Sequence, residues 1–300
     1  MATPSVGNRP LITKRTRLGD FTIPAAGGRG IIEIDSAKNI HAVELYFTAV
    51  GVGATYAEMI ADLGAIRVRV GGQLIVDLTA TELLDLYHFY NDANGVAAFV
   101  EAGVLPIRFT PYMLPLSDQT QEYAIGMLAD DNPSKRNTFT VEVNMLTPGG
   151  GLTVDACEVH LETDELPAQK IGYHMRWLPY GTTWPAATAQ TLDQITHEPN
   201  ALAIVSYHIH HAAGTLARIR HVVNDEEVIS DTPLDLNNFK LHEASRSPVA
   251  LYESIDFNLA NHPLGFRDIS RLVNERLTLT WGVLPGGYTV IRQELCKNLR

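Results

Sequence analysis

Short stretches in which apolar and polar residues alternate recur along this chain, separated by clusters of Gly, Pro, Asn and Asp. Gly30–Asp35, Ala42–Val50, Ile66–Val70, Val104–Thr110, Thr138–Leu146 and Thr153–Leu161 all follow this period of two. Alternation sends every second side chain to one face, so each stretch reads as a strand with one face buried. Helical signals are few. Thr79 and Glu82 form a T-x-x-E capping box ahead of Leu83, Leu84, Leu86, Tyr87 and Tyr90. Thr55 with Glu58 predicts a second, short helix, and Thr232 with Asp235 a third, with Pro233 at its first helical position. One or two helices per half cannot supply a crossover at every connection, so a parallel sheet is excluded in favour of antiparallel pairing.

The pattern occurs twice, and a repeat changes the fold reading of the whole chain. Asn39–Tyr46 matches Asn200–Tyr207 at an offset of 161, with Ile23-Pro24-Ala25-Ala26 ahead of the first and Trp184-Pro185-Ala186-Ala187 ahead of the second. Ile66–Gly72 matches Ile219–Asp225 at an offset of 153, and a helix start follows each, at Thr79 and Thr232. Phe139–Leu146, Pro148-Gly149-Gly150 and Thr153-Val154 match Leu277–Leu284, Pro285-Gly286-Gly287 and Thr289-Val290. The order is shared, and the offset shrinks only where the first half has room for longer loops. Both Pro-Gly-Gly segments read as tight hairpin turns that need positive φ.

Six to eight short strands in each half fit an eight-stranded sandwich. The fold expected is all-β, two tandem eight-stranded jelly rolls (a double jelly roll) with short inserted helices. The expected boundaries are an N-terminal arm over 1–18, a first jelly roll over 19–161, a linker over 162–170 and a second jelly roll over 171–300. Residues 1–18 lack core alternation, and 162–170 is polar and aperiodic.

Taken together, the segment Ala65–Asp92, its echo Arg218–His242 and the two Pro-Gly-Gly segments make the chain resemble a family. It is similar to the double jelly-roll major capsid proteins of tailless icosahedral phages with an internal membrane, of the corticovirus and tectivirus kind. The resemblance spans nearly the whole chain and is architectural. It implies a structural coat protein that is no enzyme and uses no cofactor. Three chains would form a pseudo-hexagonal capsomer, since two similar barrels per chain give six similar walls. The implied partners are further copies of the chain, vertex and minor capsid proteins and an internal lipid membrane, in a virion made in the host cytoplasm.

Composition sharpens this picture in three places. With 23 Lys and Arg against 34 Asp and Glu the net charge is −11, which argues against direct contact with nucleic acid. The local exception is the cluster Arg9, Lys14, Arg15 and Arg17, expected to touch lipid head groups or a neighbouring capsomer. Two cysteines, Cys157 and Cys296, in no metal-ligand spacing, read as buried thiols rather than a disulfide framework.

Chemistry offers two rival readings. His208-Ile209-His210-His211 would place His208 and His210 on one face of a strand, where two imidazoles can hold a metal as in a two-barrel cupin enzyme. The cupin pattern wants a Glu shortly after the pair, and Ala212-Ala213-Gly214-Thr215 stands there instead. Histidines at a subunit contact are the reading favoured over a metal for that strand. The second rival is a glycan-binding virion spike, with Trp177, Trp184 and Trp281 to stack on sugar rings. The repeat places Trp184 and Trp281 at core positions, which favours packing for those two. GxxxxGK[ST], GxSxG and HExxH motifs are absent.

Overall fold

The computed structural model describes residues 13–91, 103–109, 124–129, 135–170, 172–180, 189–193, 195–197, 199–224, 227–259, 266–269, 272 and 274–297. The chain divides into two compact units. One comprises Met1–Leu84, Ala97–Met175 and Lys297–Arg300; the other comprises Asp85–Val96 and Arg176–Cys296.

The first unit holds β1 (Thr13–Phe21), β2 (Arg29–Ile34), β3 (Lys38–Ala49), a two-residue β4 (Val52–Gly53), β5 (Leu63–Val70), β6 (Gln73–Thr79), β7 (Val104–Arg108), β8 (Phe139–Met145) and β9 (Ala156–Pro167). All its strand pairs are antiparallel. One sheet runs β1-β9-β3-β7, and the other runs β2-β8-β5-β6. Leaving aside β4, these are the first, eighth, third and sixth strands facing the second, seventh, fourth and fifth, which is the jelly-roll order. Inward positions alternate as the sequence predicts: Val43, Leu45 and Phe47 of β3 and Phe139, Val141 and Val143 of β8 are all buried. Phe109 meets Phe139 edge to face at 5.6 Å.

The second unit repeats that order. Its strands are β10 (Tyr173–Tyr180, from Arg176 on), β11 (Ala189–Asp193), β12 (Ala201–His211), β13 (Thr215–Val223), β14 (Glu227–Pro233), β15 (Tyr252–Asp256), a two-residue β16 (Arg267–Asp268), β17 (Glu275–Val283) and β18 (Tyr288–Lys297). They pair as β10-β18-β12-β15 and β11-β17-β13-β14. With β16 set aside, the order is again first-eighth-third-sixth and second-seventh-fourth-fifth. Its core gathers Tyr207, Ile209, Leu216, Ile219, Leu277, Leu279 and Trp281.

Helices fall in equivalent places. Between the fifth and sixth strands, α2 (Ala80–Asn91) follows β6 and α3 (Leu234–Glu243) follows β14; α1 (Tyr56–Asp62) precedes β5. The boxes at Thr55 and Thr79 both form: the Thr79 amide donates to Glu82 Oε2 at 2.8 Å, and the Glu82 amide donates to Thr79 Oγ1 at 3.2 Å. The expected box at Thr232 does not. Pro233 occupies the cap position with no side-chain hydrogen bond, and the Thr232 hydroxyl pairs with Ser230 at 3.2 Å. Asp235 is then one position too early to return the bond.

Four expectations are corrected. Residues 13–18 are not a free arm: they form most of β1, which pairs with β9 from Thr13↔Asp164 to Phe21↔Cys157 with one bulge between Arg17 and Gly19. An exposed edge strand has no buried alternation to read. Residues 162–167 are not linker but the end of β9, where Glu162, Thr163 and Asp164 are buried because each carboxylate has partners. The division into units accordingly falls at Met175/Arg176 rather than within 162–170, and Asp85–Val96 groups with the second unit. Neither Pro-Gly-Gly segment closes a hairpin, since β8 and β9, like β17 and β18, lie in different sheets. Both connections do use a positive-φ glycine, Gly151 at +86° and Gly286 at +75°. A true two-residue hairpin of the first unit is β5–β6, where Gly71 and Gly72 take φ of +56° and +83° between Val70 and Gln73. The match at offset 161 joins like faces at Val43 and Ile204, both in a core, and parts by Tyr46 and Tyr207, of which only Tyr207 is in the core, because β12 bulges between Ile204 and Ser206. Trp184–Ala187 lies outside the described residues.

These caps give a direct test. Thr79→Ala should cost about 1 kcal/mol in urea denaturation, whereas Thr232→Ala should stay within about 0.5 kcal/mol.

Candidate functional site: the histidine strand and two buried polar clusters

Strand β12 presents its histidines to opposite faces. Tyr207, Ile209 and His211 point into the barrel, where His211 meets Trp281 at 5.1 Å. Ser206, His208 and His210 point out, and that outer face is covered within the same unit by the second half of α2. The His208 ring is fully buried between Tyr252, stacked at 5.2 Å, Phe89 at 5.4 Å and Trp177 at 5.9 Å. Its Nδ1 pairs with the Ser254 hydroxyl at 2.6 Å and its Nε2 with the Ser206 hydroxyl at 2.7 Å. Ser206 donates to Gln293 Oε1 at 3.0 Å, and Tyr90 reaches the same oxygen at 3.4 Å. Beside this chain Arg246 donates from Nε to Asp256 Oδ2 at 2.7 Å and lies 5.2 Å from the centre of the Tyr90 ring.

The strand uses His208 and His210 neither as the rival reading's metal pair nor, for His208, as a side chain open to another subunit. Both nitrogens of His208 are committed to hydroxyls, and burial pushes its pKa down to about 3, so it stays neutral. His210 is half-buried with its Nε2 3.7 Å from Asp85 Oδ2. Among the described residues no group of three His, Cys, Asp or Glu is placed to hold a metal.

A second cluster fills one part of the same barrel's interior. Glu275 on β17 accepts from His197 Nε2 at 2.7 Å through Oε2 and from His221 Nε2 through Oε1. His197 Nδ1 bonds Glu294 at 2.9 Å, and Arg292 Nη1 lies 3.2 Å from the same Glu294 oxygen. Burial opposes charge on His197, but the bonds to Glu275 and Glu294 outweigh it and raise its pKa to about 9. Burial likewise opposes charge on Glu275, and His197 and His221 overcome it, lowering the carboxyl to about 2. The first unit has a smaller analogue, with Asp164 Oδ2 held by Asn39 Nδ2 at 3.0 Å and His41 Nε2 at 3.2 Å. Sequence reasoning did not single these residues out. The available signal was positional: Glu275 and His221 stand at inward positions of alternating strands, two residues before Leu277 and two after Ile219.

Of the basic cluster, Arg9 lies outside the described residues, and Lys14, Arg15 and Arg17 lie on β1. Arg15 pairs with Glu44 at 3.0 Å; Arg17 pairs with Glu158 at 3.2 Å and with Asp20. Lys14 is exposed. Trp177 and Trp281 are buried, so neither offers a face to a sugar; Trp184 is outside the described residues. Cys157 and Cys296 are both buried thiols outside any disulfide, and burial pushes the Cys157 thiol up to about 12. No helix among the described residues is long and apolar enough to cross a membrane.

Two barrels of one strand order, each with a helix between its fifth and sixth strands, define a double jelly roll. No family model and no curated protein sequence matches the chain. Solved structures do. The chain superposes on the major capsid protein of bacteriophage PM2 with a TM-score of 0.76 over 96% of this chain and 99% of that one, at 13% identity. The major capsid protein of the Sulfolobus turreted icosahedral virus gives 0.65 over 97% of each chain at 8% identity. A chain of the PBCV-1 virus capsid gives 0.60 over 97% and 95% at 12% identity. The fold of this chain is that of double jelly-roll capsid proteins.

The buried histidines predict a stability profile. His197, raised from 6.5 to about 9, contributes stability that is complete below pH 6.5 and lost as the pH rises through 9. Glu275, lowered from 4.5 to about 2, contributes stability complete above pH 4.5 and lost as the pH falls towards 2. His208, lowered from 6.5 to about 3, contributes stability complete above pH 6.5 and lost as the pH falls towards 3. The melting temperature should therefore peak near pH 6.5, with His197→Gln flattening the alkaline limb and His208→Gln the acid limb. An alkaline limb unchanged in His197→Gln would contradict the cluster's role.

Proposed function

We propose that the chain is a major capsid protein, a structural coat subunit that assembles as homotrimers into the shell of an icosahedral virion. The observation that carries this reading is the tandem pair of barrels with equivalent helices, into which nearly all of the described strands fall. Near-complete coverage of three capsid chains supports it, since an enzyme built on one barrel would match over half its length.

The same reading assigns no catalysis. His208, the centre of the cupin alternative, is sealed among aromatic rings with both nitrogens bonded to serines. Buried Trp177 and Trp281 weaken the spike alternative. Its partners are other copies of the chain first, then minor and vertex proteins and an internal membrane. A net charge of −11 suits a shell that does not touch the genome. Lipid head groups or a neighbouring capsomer are assigned to Arg9, Lys14, Arg15 and Arg17; Arg15 and Arg17 pair with Glu44 and Glu158 yet keep half or more of each side chain exposed. Two buried thiols outside any disulfide suit synthesis in a reducing host cytoplasm and residence in the virion.

Three copies convert two unequal barrels into six similar walls, a closed arrangement that a monomer or dimer does not provide. Light scattering of the purified protein should report 3 × 33.0, about 99 kDa. A monomer at high concentration would contradict the proposal, and stoichiometric metal lost in a His208→Ala, His210→Ala double variant would favour the cupin.

A further inference from the structure

The two equivalent helices differ in how they are covered. Along α2, Leu83, Leu84, Leu86, Phe89 and Tyr90 are all buried. Its second half belongs to the second unit, where Phe89 and Tyr90 lie on the outer face of the β10-β18-β12-β15 sheet against His208, Ser206 and Gln293. Along α3, only Leu241 is fully buried; Leu236 is 45% and Phe239 58% exposed. A cavity of about 240 Å³ beside α3 has a mixed lining, with Ile229, Leu241 and Phe257 beside Thr232, Lys240 and Asp256, so the two exposed apolar side chains have no apolar pocket of their own chain to fill.

We infer that α3 docks on a second copy of this chain, with Leu236 and Phe239 lying on the outer face of that copy's β1-β9-β3-β7 sheet around Tyr46 and His160. The inference rests on the trimeric capsid reading and names the surface that builds it. Each chain has two sheets of the first-eighth-third-sixth order. The outer face of the second unit's sheet is occupied by α2, which leaves the first unit's. There Glu44, Tyr46 and Thr48 of β3 and Glu158 and His160 of β9 point outward, opposite the buried Val43, Leu45, Phe47 and Val159. Tyr46 offers an aromatic surface of the kind that anchors interfaces. A helix on one unit meeting a sheet on another is a heterologous contact, which closes into a ring when the rotation allows. The helix that follows a fifth strand thus covers a first-eighth-third-sixth sheet twice, once within the chain and once between copies.

Disulfide capture tests the contact in the whole protein. One preparation carries Phe239→Cys, another Tyr46→Cys, and the two are mixed and oxidised; the natural Cys157 and Cys296 are buried. A linked pair containing one chain of each is expected. None is expected between Phe239→Cys and Val52→Cys, a control on an exposed side chain of the first unit. In parallel, Phe239→Asp should leave circular dichroism and melting of the subunit unchanged while weakening self-association at least about thirtyfold, equal to about 2 kcal/mol. A 99 kDa trimer that gives no Phe239–Tyr46 link and tolerates Phe239→Asp would overturn the docking surface alone. A monomer would overturn both the surface and the capsid reading.

Discussion

Strand β12 is buried on both faces, and much of the second unit follows from that. Its inner residues Tyr207 and Ile209 are held by the barrel core, so its outer residues Ser206 and His208 must also be covered and must also be satisfied. Leaving a buried donor or acceptor unmade costs roughly 1–3 kcal/mol. The Ser254–His208–Ser206–Gln293 chain meets that demand, and the aromatic rings of Phe89, Tyr90, Tyr252 and Trp177 exclude water from it. The strand therefore depends on a helix that the sequence supplies far upstream, and residues 85–96 group with the second unit for that reason.

The same accounting governs the carboxylates inside the barrels. Asp164 in the first unit and Glu275 in the second are each gripped by imidazole. Removing one partner of such a buried pair leaves an unpaired charge at a cost of about 3–5 kcal/mol, more than an average surface change. Ion pairs on the outer sheet face, such as Arg15 with Glu44, are half in water and contribute far less. The polar residues whose loss would matter are those sealed from water, inside the barrels or beneath α2, while the half-exposed pairs on the outer face of the β1-β9-β3-β7 sheet leave that face able to serve as a contact surface.

The tandem jelly-roll architecture was legible because inward alternation at β2, β3, β5 and β8 survives in the letters, and because the Gly71-Gly72 and Pro-Gly-Gly landmarks recur in order. What failed failed for definable reasons. Strand β1 is an exposed edge whose basic side chains carry no alternation, so pairing to β9 alone makes it a strand. Glu162 and Asp164 look like linker until Thr13, Asn39 and His41, well over a hundred residues away, are brought to them. The Pro-Gly-Gly segments look like hairpins because a turn's residues report its φ angles and not which sheet the next strand joins. His208 resembled a ligand because neither Ser254 nor Phe89 is near it in sequence. For the inward Glu275 and His221 the signal was present, and it lay in the face they occupy rather than in any motif.

The account stands or falls on whether two similar barrels per chain are there to tile a shell. Electron microscopy of the purified assembly answers that most directly. Pseudo-hexagonal capsomers, each made of three chains with six similar walls, are the expected image. Well-dispersed particles with no pseudo-hexagonal unit at concentrations where other capsid subunits assemble would contradict it.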